Sequence, residues 1–509
     1  MPGKAISFAT ELNGDQALAV FDIGSNSVRL VIYDGVRRTP VPVFNEKAMC
    51  GLGRGLHAGK GQDLLAGDAV EHALSTLRRF SVITDGFGVK NRVAIATAAA
   101  RDAQNGAQFV SEVEAILGVP VQVLTGKEEA RLAAFGVGYS VRDAMGIVGD
   151  MGGGSLEICR LKGKETGKKV SFPIGALRLM TLGAPDSPQV AAAVEEAFDA
   201  VPWFPDEKRD TLYVVGGAWR VLGRVHMATQ NYPIRILHQY EITGKEAQAI
   251  ARRISTMTPA QMAQINEIPT RRHDTLPYAA LVLDRLIARA EVDRLVFSAH
   301  GVREGALYSL LDEDEQARDP LVSSCEAMAQ QFGRPAGGDS QQLGKELYDW
   351  MVPFFPDEQP FERRRRFAAC QLCELAWRTP SDYRGDQAFA EIMRGPLFGV
   401  RHTARSQIAL SVLFRHSGTI EEPETKEIAD MLPREDYARA REIGMALRLG
   451  VTLSGTMPGV LAACPLSLEG ERLVLSVPER HSAILGHVTE TRLGKLAATR
   501  GLKAVLRCA

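Results

Sequence analysis

Apolar positions along the chain fall into two alternating periods. LAVFDIG and VRLVIYD, between Ala17 and Asp34, are short, nearly continuous apolar runs joined by the polar turn SNS, which predicts two buried strands. A three-to-four-residue spacing then predicts a helix over GDAVEHALSTLRRFSVITDGFG. NRVAIATAA is expected as a buried strand, RDAQNGAQFVSEVEAILG as a helix that Arg101 opens, and VPVQVLT as a further strand. GKEEARLAAFGVGYSV is expected as a helix whose first turn carries Lys127, Glu128 and Glu129. GIVGDMGGGSLEICRL then repeats the strand, polar turn, strand unit. EAFDAVPWF, a strand TLYVVGGAWRVLGRVH, helices through ALVLDRLIARA, and the strand–turn–helix DRLVFSAHGVREGALYSLL complete this part. Strands alternating with helices predict an α/β architecture, and the recurring unit predicts two similar halves facing each other.

Beyond Leu311 the pattern changes. LDEDEQARDP reads as an acidic linker, and SSCEAMAQQFG, GKELYDWMVPFF, FERRRRFAACQLCELAWR and TARSQIALSVLFRHSG all follow the helical period. LAACPLSLEG and RLVLSVP are short strand-like pieces near the end. The expected organisation is one half over 1–136, a second over 137–311, a mainly helical domain over 320–420 and a small α+β domain over 421–509.

Composition narrows the class. A chain of 509 residues is long enough for roughly two to four domains. With 45% hydrophobic and 24% charged residues it can build packed cores. The formal net charge of −1 supplies no global basic field, so neither nucleic acid nor a membrane surface is an expected partner, and a polyanion must be held by a local patch. Seven cysteines, odd in number and scattered from Cys50 to Cys508, fit reduced thiols. Cys370 and Cys373 form a lone CxxC, read as helical core. No apolar leader is visible in MPGKAISFATELNGDQ and no run approaches membrane-spanning length, so a soluble, cytoplasmic protein is expected.

The chemistry lies in the repeated turn. VFDIGSNSVR and VGDMGGGSLE, laid over each other, match Asp22 with Asp150, Gly24 with Gly152, Ser27 with Ser155 and Arg29 with Glu157. A strand running into GGGS leaves backbone N–H groups open to phosphate oxygens, and Ser27 and Ser155 add hydroxyl donors. Two such loops at one cleft would grip phosphate from opposite sides. Neither matches GxxxxGK[ST] or GxGxxG. Asp22 and Asp150 end apolar strands and need a partner. In a phosphate cleft magnesium is expected, with Glu157 as a further ligand directly or through water. Arg29 would neutralise phosphate, so one side of the cleft would hold the anion and the other the ion that polarises it.

FDIGSNSVRLVIYD, ATAAARDAQN, TGKEEARLAAFGV, VGDMGGGSLEI, RRHDTLPYAALVL and SAHGVREG resemble, in order, the motifs of the exopolyphosphatase and guanosine pentaphosphate phosphatase family, over about residues 17–310. That family belongs to the actin-like ATPase and sugar-kinase superfamily, and the resemblance implies two RNase-H-like halves around a cleft. It also implies magnesium-dependent hydrolysis of a terminal phosphate from inorganic polyphosphate, with guanosine pentaphosphate hydrolysis or a non-hydrolytic polyphosphate or alarmone sensor as alternatives. A homodimer is the expected assembly. The resemblance places the catalytic base on Glu129 and a phosphate-binding arginine on Arg101. It places the first loop on Asp22, Gly24, Ser25, Asn26 and Ser27 and the metal and phosphate loop on Asp150, Gly152, Gly154, Ser155 and Glu157, while the GGGS run adds Gly153 as a phosphate-binding candidate. Glu128 reads as a helix cap and His300 as a structural turn residue. Long members of the family carry a helical domain related to HD phosphohydrolases. Here Cys373–Glu374 replaces its metal-binding pair, with His402 and His416 remaining, so a metal-free domain is expected. Arg363, Arg364, Arg365, Arg366, Arg401, Arg405 and Arg415 are either a solvated face or part of a polyphosphate track.

Overall fold

The computed structural model describes residues 16–54, 56, 63–201, 211–334, 340–457 and 459–508. The N-terminal segment read above for a leader and the last residues of EAFDAVPWF lie outside them. The chain forms two compact units, Met1–Ala317 and Arg318–Ala509.

The first unit contains two sheets. One is built from β1 (Leu18–Ile23), β2 (Val28–Tyr33), β3 (Pro42–Ala48), β4 (Asn91–Ala96) and β5 (Val121–Val123), in the order β3-β2-β1-β4-β5. The other is built from β6 (Met145–Met151), β7 (Leu156–Lys162), β8 (Glu165–Phe172), β9 (Thr211–Val215), β10 (Glu241–Thr243) and β11 (Arg294–Phe297), in the order β10-β11-β9-β6-β7-β8. Each sheet begins with two antiparallel ladders, β1–β2–β3 and β6–β7–β8. Each then continues with parallel ones, β1–β4–β5 and β6–β9–β11. This is the RNase-H-like arrangement, twice.

Burial follows the topology. β1 and β4 are central, packed on both faces, and read as nearly unbroken apolar runs, whereas edge strand β3 is half-exposed along its length. Phe21, Ile23, Leu30 and Phe80 anchor the first core, and Trp219, Phe172, Phe198 and Phe297 the second. The indole of Trp219 donates to the carbonyl of Ala279 at 2.8 Å, which satisfies its one polar group inside that core. The helix Gly126–Ser140 runs through the position drawn from sequence as the boundary between halves. It packs on the helix Val302–Ser309 at close range, because Gly136 and Gly305 present no side chain: a Cβ at either would strike the backbone of Gly301 or Leu132.

One sequence reading is overturned here. TLYVVGGAWRVLGRVH is strand only through Val215; Gly217–Thr229 is a helix. Two glycines stop the strand, and the buried Ala218, Val221, Leu222 and Val225 follow helical spacing.

The second unit is helical from Pro320 to Ser454 and ends in a sheet of β12 (Leu466–Glu469), β13 (Arg472–Val477) and β14 (Lys503–Cys508), with the helix His487–Ala498 leading into β14. The helical part therefore extends past residue 420, because Arg434–Ser454 packs along His402–His416, with Gly444 beneath Phe414. No helix among the described residues is long and apolar enough to cross a membrane.

Candidate active site

The two matched turns have the same hydrogen bond. Gly24 N donates to Ser27 O and Gly152 N to Ser155 O, each at 3.0 Å. Asp22 faces Arg29 across the first hairpin, and Asp150 faces Glu157 across the second, in the same register. The turns also approach each other: a Cβ at Gly153 would lie 3.4 Å from that of Ser25, and one at Gly154 3.2 Å from that of Ala98. Between them lies a cavity of about 200 Å³. Asp22, Gly24, Ser25, Asn26, Ser27 and Arg29 line it from the first half, and Asp150, Gly152, Gly153, Gly154 and Ser155 from the second.

Glu129 lines the same cavity. Thr125 and Glu128 form a capping box at the start of its helix, so Glu128 is the cap and Glu129, one residue on, is turned inward with 7% of its surface exposed. Its Oε2 has no hydrogen-bond partner. Burial, and then the carboxylates of Glu157 and Asp150, hold its carboxyl well above the usual range. Burial also raises Asp22, against the pull of Arg303, and lifts Asp150 to about 6 against that of Arg220.

Arg101 is placed differently from the sequence reading. It lies in the last turn of a short helix, Ala98–Asp102, and has no helix N-terminus to assist it. Its partners fix it instead: Nε donates to Asp102 at 2.9 Å and Nη1 to the Leu124 carbonyl at 2.9 Å, leaving Nη1 3.6 Å from Glu129 Oε2. Asp102 is also 3.4 Å from Arg178 of the second half.

Glu157 lies outside the cavity lining. It is 1% exposed, accepts from the Ser171 hydroxyl at 2.8 Å and sits behind the cavity wall rather than among the lining residues. Burial, and then Asp150 across the ladder, lift it to about 8 although the hydroxyls of Ser155 and Ser171 oppose them. Among the described residues no group of three His, Cys, Asp or Glu side chains is drawn together here. The hairpins hold the two aspartates on opposite sides, and Ser171 turns Glu157 inward.

Sequence reasoning missed much of the basic lining. Lys47, Arg220, Arg272 and Arg303 join Arg29 around the cavity. Arg220 is aimed by the carbonyls of Gly216 and Ala299, at 3.1 and 3.0 Å. Arg272 passes over Gly217, where any side chain would collide with its guanidinium. Arg303 pairs with buried Glu304 and reaches the Tyr33 hydroxyl at 3.4 Å. Lys47 is exposed at residue level, yet the protein around its ammonium, followed by Arg272, Arg29 and Arg220, lowers it to about 8. RRHD and VREG already contained Arg272 and Arg303 within the family-like motifs. Arg220 had only the signal of a strand ending in Gly-Gly. His300 packs edge-on against Tyr139 and His238 and does not line the cavity.

Residues 31–314 match the family model described as the Ppx/GppA phosphatase family. The chain belongs to that family. It is accordingly a phosphatase-type hydrolase, and residues 339–506 match the model for the exopolyphosphatase C-terminal domain. Retrograde regulation protein 2 of Saccharomyces cerevisiae is 28% identical over 478 residues, 85% of this chain and 79% of the yeast protein. Exopolyphosphatase 1 of Mycobacterium leprae is 29% identical over 315 residues, 58% of this chain and 90% of that one. A crystal structure of an exopolyphosphatase from Cytophaga hutchinsonii superposes with a TM-score of 0.52 at 26% identity, covering 58% of this chain and 97% of that one.

Within the C-terminal unit of this Ppx/GppA chain, the arginines considered as a polymer track are mostly committed elsewhere. Arg364 is paired with Asp319 at 2.5 Å and Arg365 with Asp436 at 2.9 Å. Arg366 is buried with Glu358 at 2.8 Å beneath the Tyr348 ring. Arg405 donates to the carbonyls of Ile392, Met393, Gly395 and Leu397. Arg415 pairs with Glu374. Of the seven, Arg363 and Arg401 are exposed. A run of arginines on a helix samples every side of it, so most of these side chains meet packed neighbours instead of a ligand.

Proposed function

We propose that the cleft hydrolyses the terminal phosphoanhydride bond of inorganic polyphosphate, with magnesium, and releases orthophosphate. The observation that carries this reading is the meeting of two turns with matched Asp, Gly and Ser positions over a buried carboxylate, Glu129, inside a wall of basic side chains. The backbone N–H groups and the hydroxyls of Ser25, Ser27 and Ser155 bind the terminal phosphoryl oxygens. Arg29, Lys47, Arg220 and Arg272 hold the following phosphates by charge-assisted contacts. Glu129 orients water and takes its proton as the water oxygen bonds to phosphorus and the bridging oxygen leaves with the shortened chain. Its raised pKa brings a carboxylate nearer to the working pH, which suits a general base. Arg101, 3.6 Å from that carboxylate, holds it in place.

The residues also fit magnesium. This ion takes one or two carboxylates together with water and substrate oxygens. Asp22 and Asp150 line the cavity on opposite hairpins, and Glu129 and Glu157 each keep a buried oxygen without a partner. Asp150 and Asp22 would hold the ion, which when bound neutralises charge on the transferred phosphoryl group. Among the described residues the cavity lining contains no aromatic ring on which a nucleobase would stack. That favours polyphosphate over guanosine pentaphosphate.

The test is orthophosphate release from both substrates, side by side, by the chain and by Glu129→Gln. Polyphosphate turnover falling about 100-fold or more with binding retained is the expected result. Near-normal turnover by Glu129→Gln overturns the role of that residue, and a preference for guanosine pentaphosphate overturns the substrate.

A further inference from the structure

Thr275 stands on the wall of the cleft, and its hydroxyl serves neither the fold nor the bond-breaking step described above. It lines the cavity, is 9% exposed, and its Oγ1 has no hydrogen-bond partner. Helix capping does not account for it. Thr275 is the N-cap of the helix Leu276–Ala290, where a threonine side chain ordinarily accepts from the second or third N–H. The second residue is Pro277, which has no N–H. Thr275 itself has helical φ −100° and ψ −22° in place of the extended backbone of a cap, and no capping bond forms. A buried hydroxyl that caps nothing costs stability until a ligand meets it.

Further donors surround it. The helix Gly217–Thr229 also begins at the cavity, with Gly216, Gly217 and Ala218 in the lining. Its first intrahelical bond runs from Arg220 N to the Gly216 carbonyl at 3.2 Å. The N–H groups of Gly217, Ala218 and Trp219 precede that ladder, and a glycine N-cap has no side chain to satisfy them. Gly216 has φ 98°, and a Cβ there would strike the Met151 carbonyl and lie 3.1 Å from Asp150 Oδ1. The helix therefore starts against the two residues that lead into the Gly152–Ser155 turn. The Arg272 guanidinium lies over Gly217 and, among the described residues, pairs with no carboxylate. An open helix N-terminus, a cation and a spare hydroxyl share one corner, and a tetrahedral anion satisfies all three.

We infer that this corner holds the penultimate phosphate of the chain, with Thr275 donating to it beside Gly217 N, Ala218 N and Arg272. The assignment rests on the hydrolytic reading and adds the subsite of the leaving group. As the water oxygen bonds to the terminal phosphorus, the bond from that phosphorus to the bridging oxygen breaks. The electron pair stays on the bridging oxygen, and the water proton passes to Glu129. Negative charge thus grows on the penultimate phosphate, against the hydroxyl and the helix N-terminus. Thr275 gives a hydrogen bond and transfers no proton, so the shortened chain leaves as an anion. Donors that strengthen as charge develops raise kcat and not affinity alone.

The test pairs kinetics with binding in the full chain. Orthophosphate release from long-chain polyphosphate is measured for the unmodified chain, Thr275→Val and Thr275→Ser. Inorganic tripolyphosphate is titrated calorimetrically onto the same substitutions in a Glu129→Gln background. Valine keeps the shape and removes the hydroxyl. Thr275→Val should lower kcat/KM about tenfold, with kcat itself reduced, and weaken tripolyphosphate about threefold; Thr275→Ser should restore most of both. The melting temperature of Thr275→Val should not fall, since the free chain loses no hydrogen bond. Should Thr275→Val fail to fold, Gly217→Ala decides: its methyl displaces the Arg272 guanidinium, so binding should weaken about tenfold in the Glu129→Gln background and no further once Arg272→Met is present. Kinetics and binding of Thr275→Val within twofold of the unmodified residue overturn the inference, as does a loss that serine does not restore or a Gly217→Ala without effect. Weaker guanosine pentaphosphate binding with tripolyphosphate unchanged also overturns it, and assigns the hydroxyl to a nucleoside. If the unmodified chain releases no orthophosphate from polyphosphate, the hydrolytic reading fails, and the tripolyphosphate titrations still decide the subsite.

Discussion

Asp102 takes no part in the proposed bond-breaking step, yet its charge should matter to turnover. Its Oδ1 receives Arg101 Nε at 2.9 Å, and its Oδ2 faces Arg178 Nη2, from the opposite half, at 3.4 Å. Asp102→Asn preserves shape but removes the charge and replaces one acceptor with an amide donor. A hydrogen bond to a charged group contributes about 1.5–3 kcal/mol, and the longer contact belongs at the weak end. The three side chains are 24%, 26% and 23% exposed, so solvent screening reduces the total to roughly 1–2 kcal/mol. Arg101 is 3.6 Å from Glu129, so the loss should appear where those two groups act. The expected result is a kcat about 5- to 30-fold lower, with KM changed little. The assay is orthophosphate release across a range of polyphosphate concentrations, with a melting curve to confirm that the fold survives. A kcat within about twofold of the unmodified chain would refute the reasoning, and Asp102 would then be an ordinary ion pair.

Arg220→Met and Arg272→Met should each raise KM for polyphosphate about tenfold and make the affinity less dependent on salt, as measured by initial rates at two ionic strengths. Asp150→Asn should shift the magnesium activation curve to higher concentration, and chelation should abolish turnover; a superimposable curve would remove Asp150 from the metal site. Glu304 gives a stability prediction. Burial pushes its carboxyl up, but Arg303, His300 and the Gly301 N–H outweigh this and leave it at about 2. A depressed carboxyl stabilises the fold fully above its ordinary value near 4.5 and loses that contribution as pH falls toward about 2, here roughly 3 kcal/mol in all. Denaturant unfolding of the chain and of Glu304→Gln should therefore give a gap that narrows from about pH 4.5 downward, and a constant gap to about pH 3 would be the contrary result.

How far the sequence reaches depends on what a local pattern can encode. The hairpins were legible because central strands such as LAVFDI are buried on both faces and because the Asp–x–Gly turn recurs. The edge strands Pro42–Ala48 and Glu165–Phe172 were not, since half-exposed positions carry no clear apolar period. Arg101 was legible as a residue but not in its setting: a one-residue turn after β4 starts the helix at Ala98 and leaves the guanidinium at its end. The basic wall was scattered over Lys47, Arg220, Arg272 and Arg303, and only the closure of the two halves brings them together. The arginine run FERRRRF shows the reverse failure. Adjacent in sequence, its members point in different directions, and Arg366 is 1% exposed.

The charge reversal between the hairpins follows from how each half is balanced. On the first, Asp22 faces Arg29, with Arg303 and Lys47 also pulling its carboxyl down. Arg303 among these comes from the second half. On the second, Asp150 faces Glu157, Glu129 lies close enough to feel both, and the opposing charges come from Arg220 on Asp150 and Arg101 on Glu157 and Glu129. The two turns share one backbone geometry. The cross-strand residue, arginine on one hairpin and glutamate on the other, gives the two aspartates different neighbours. On the proposed reading, a cleft with two arginines there would hold phosphate without favouring the ion, and one with two glutamates would repel the phosphate.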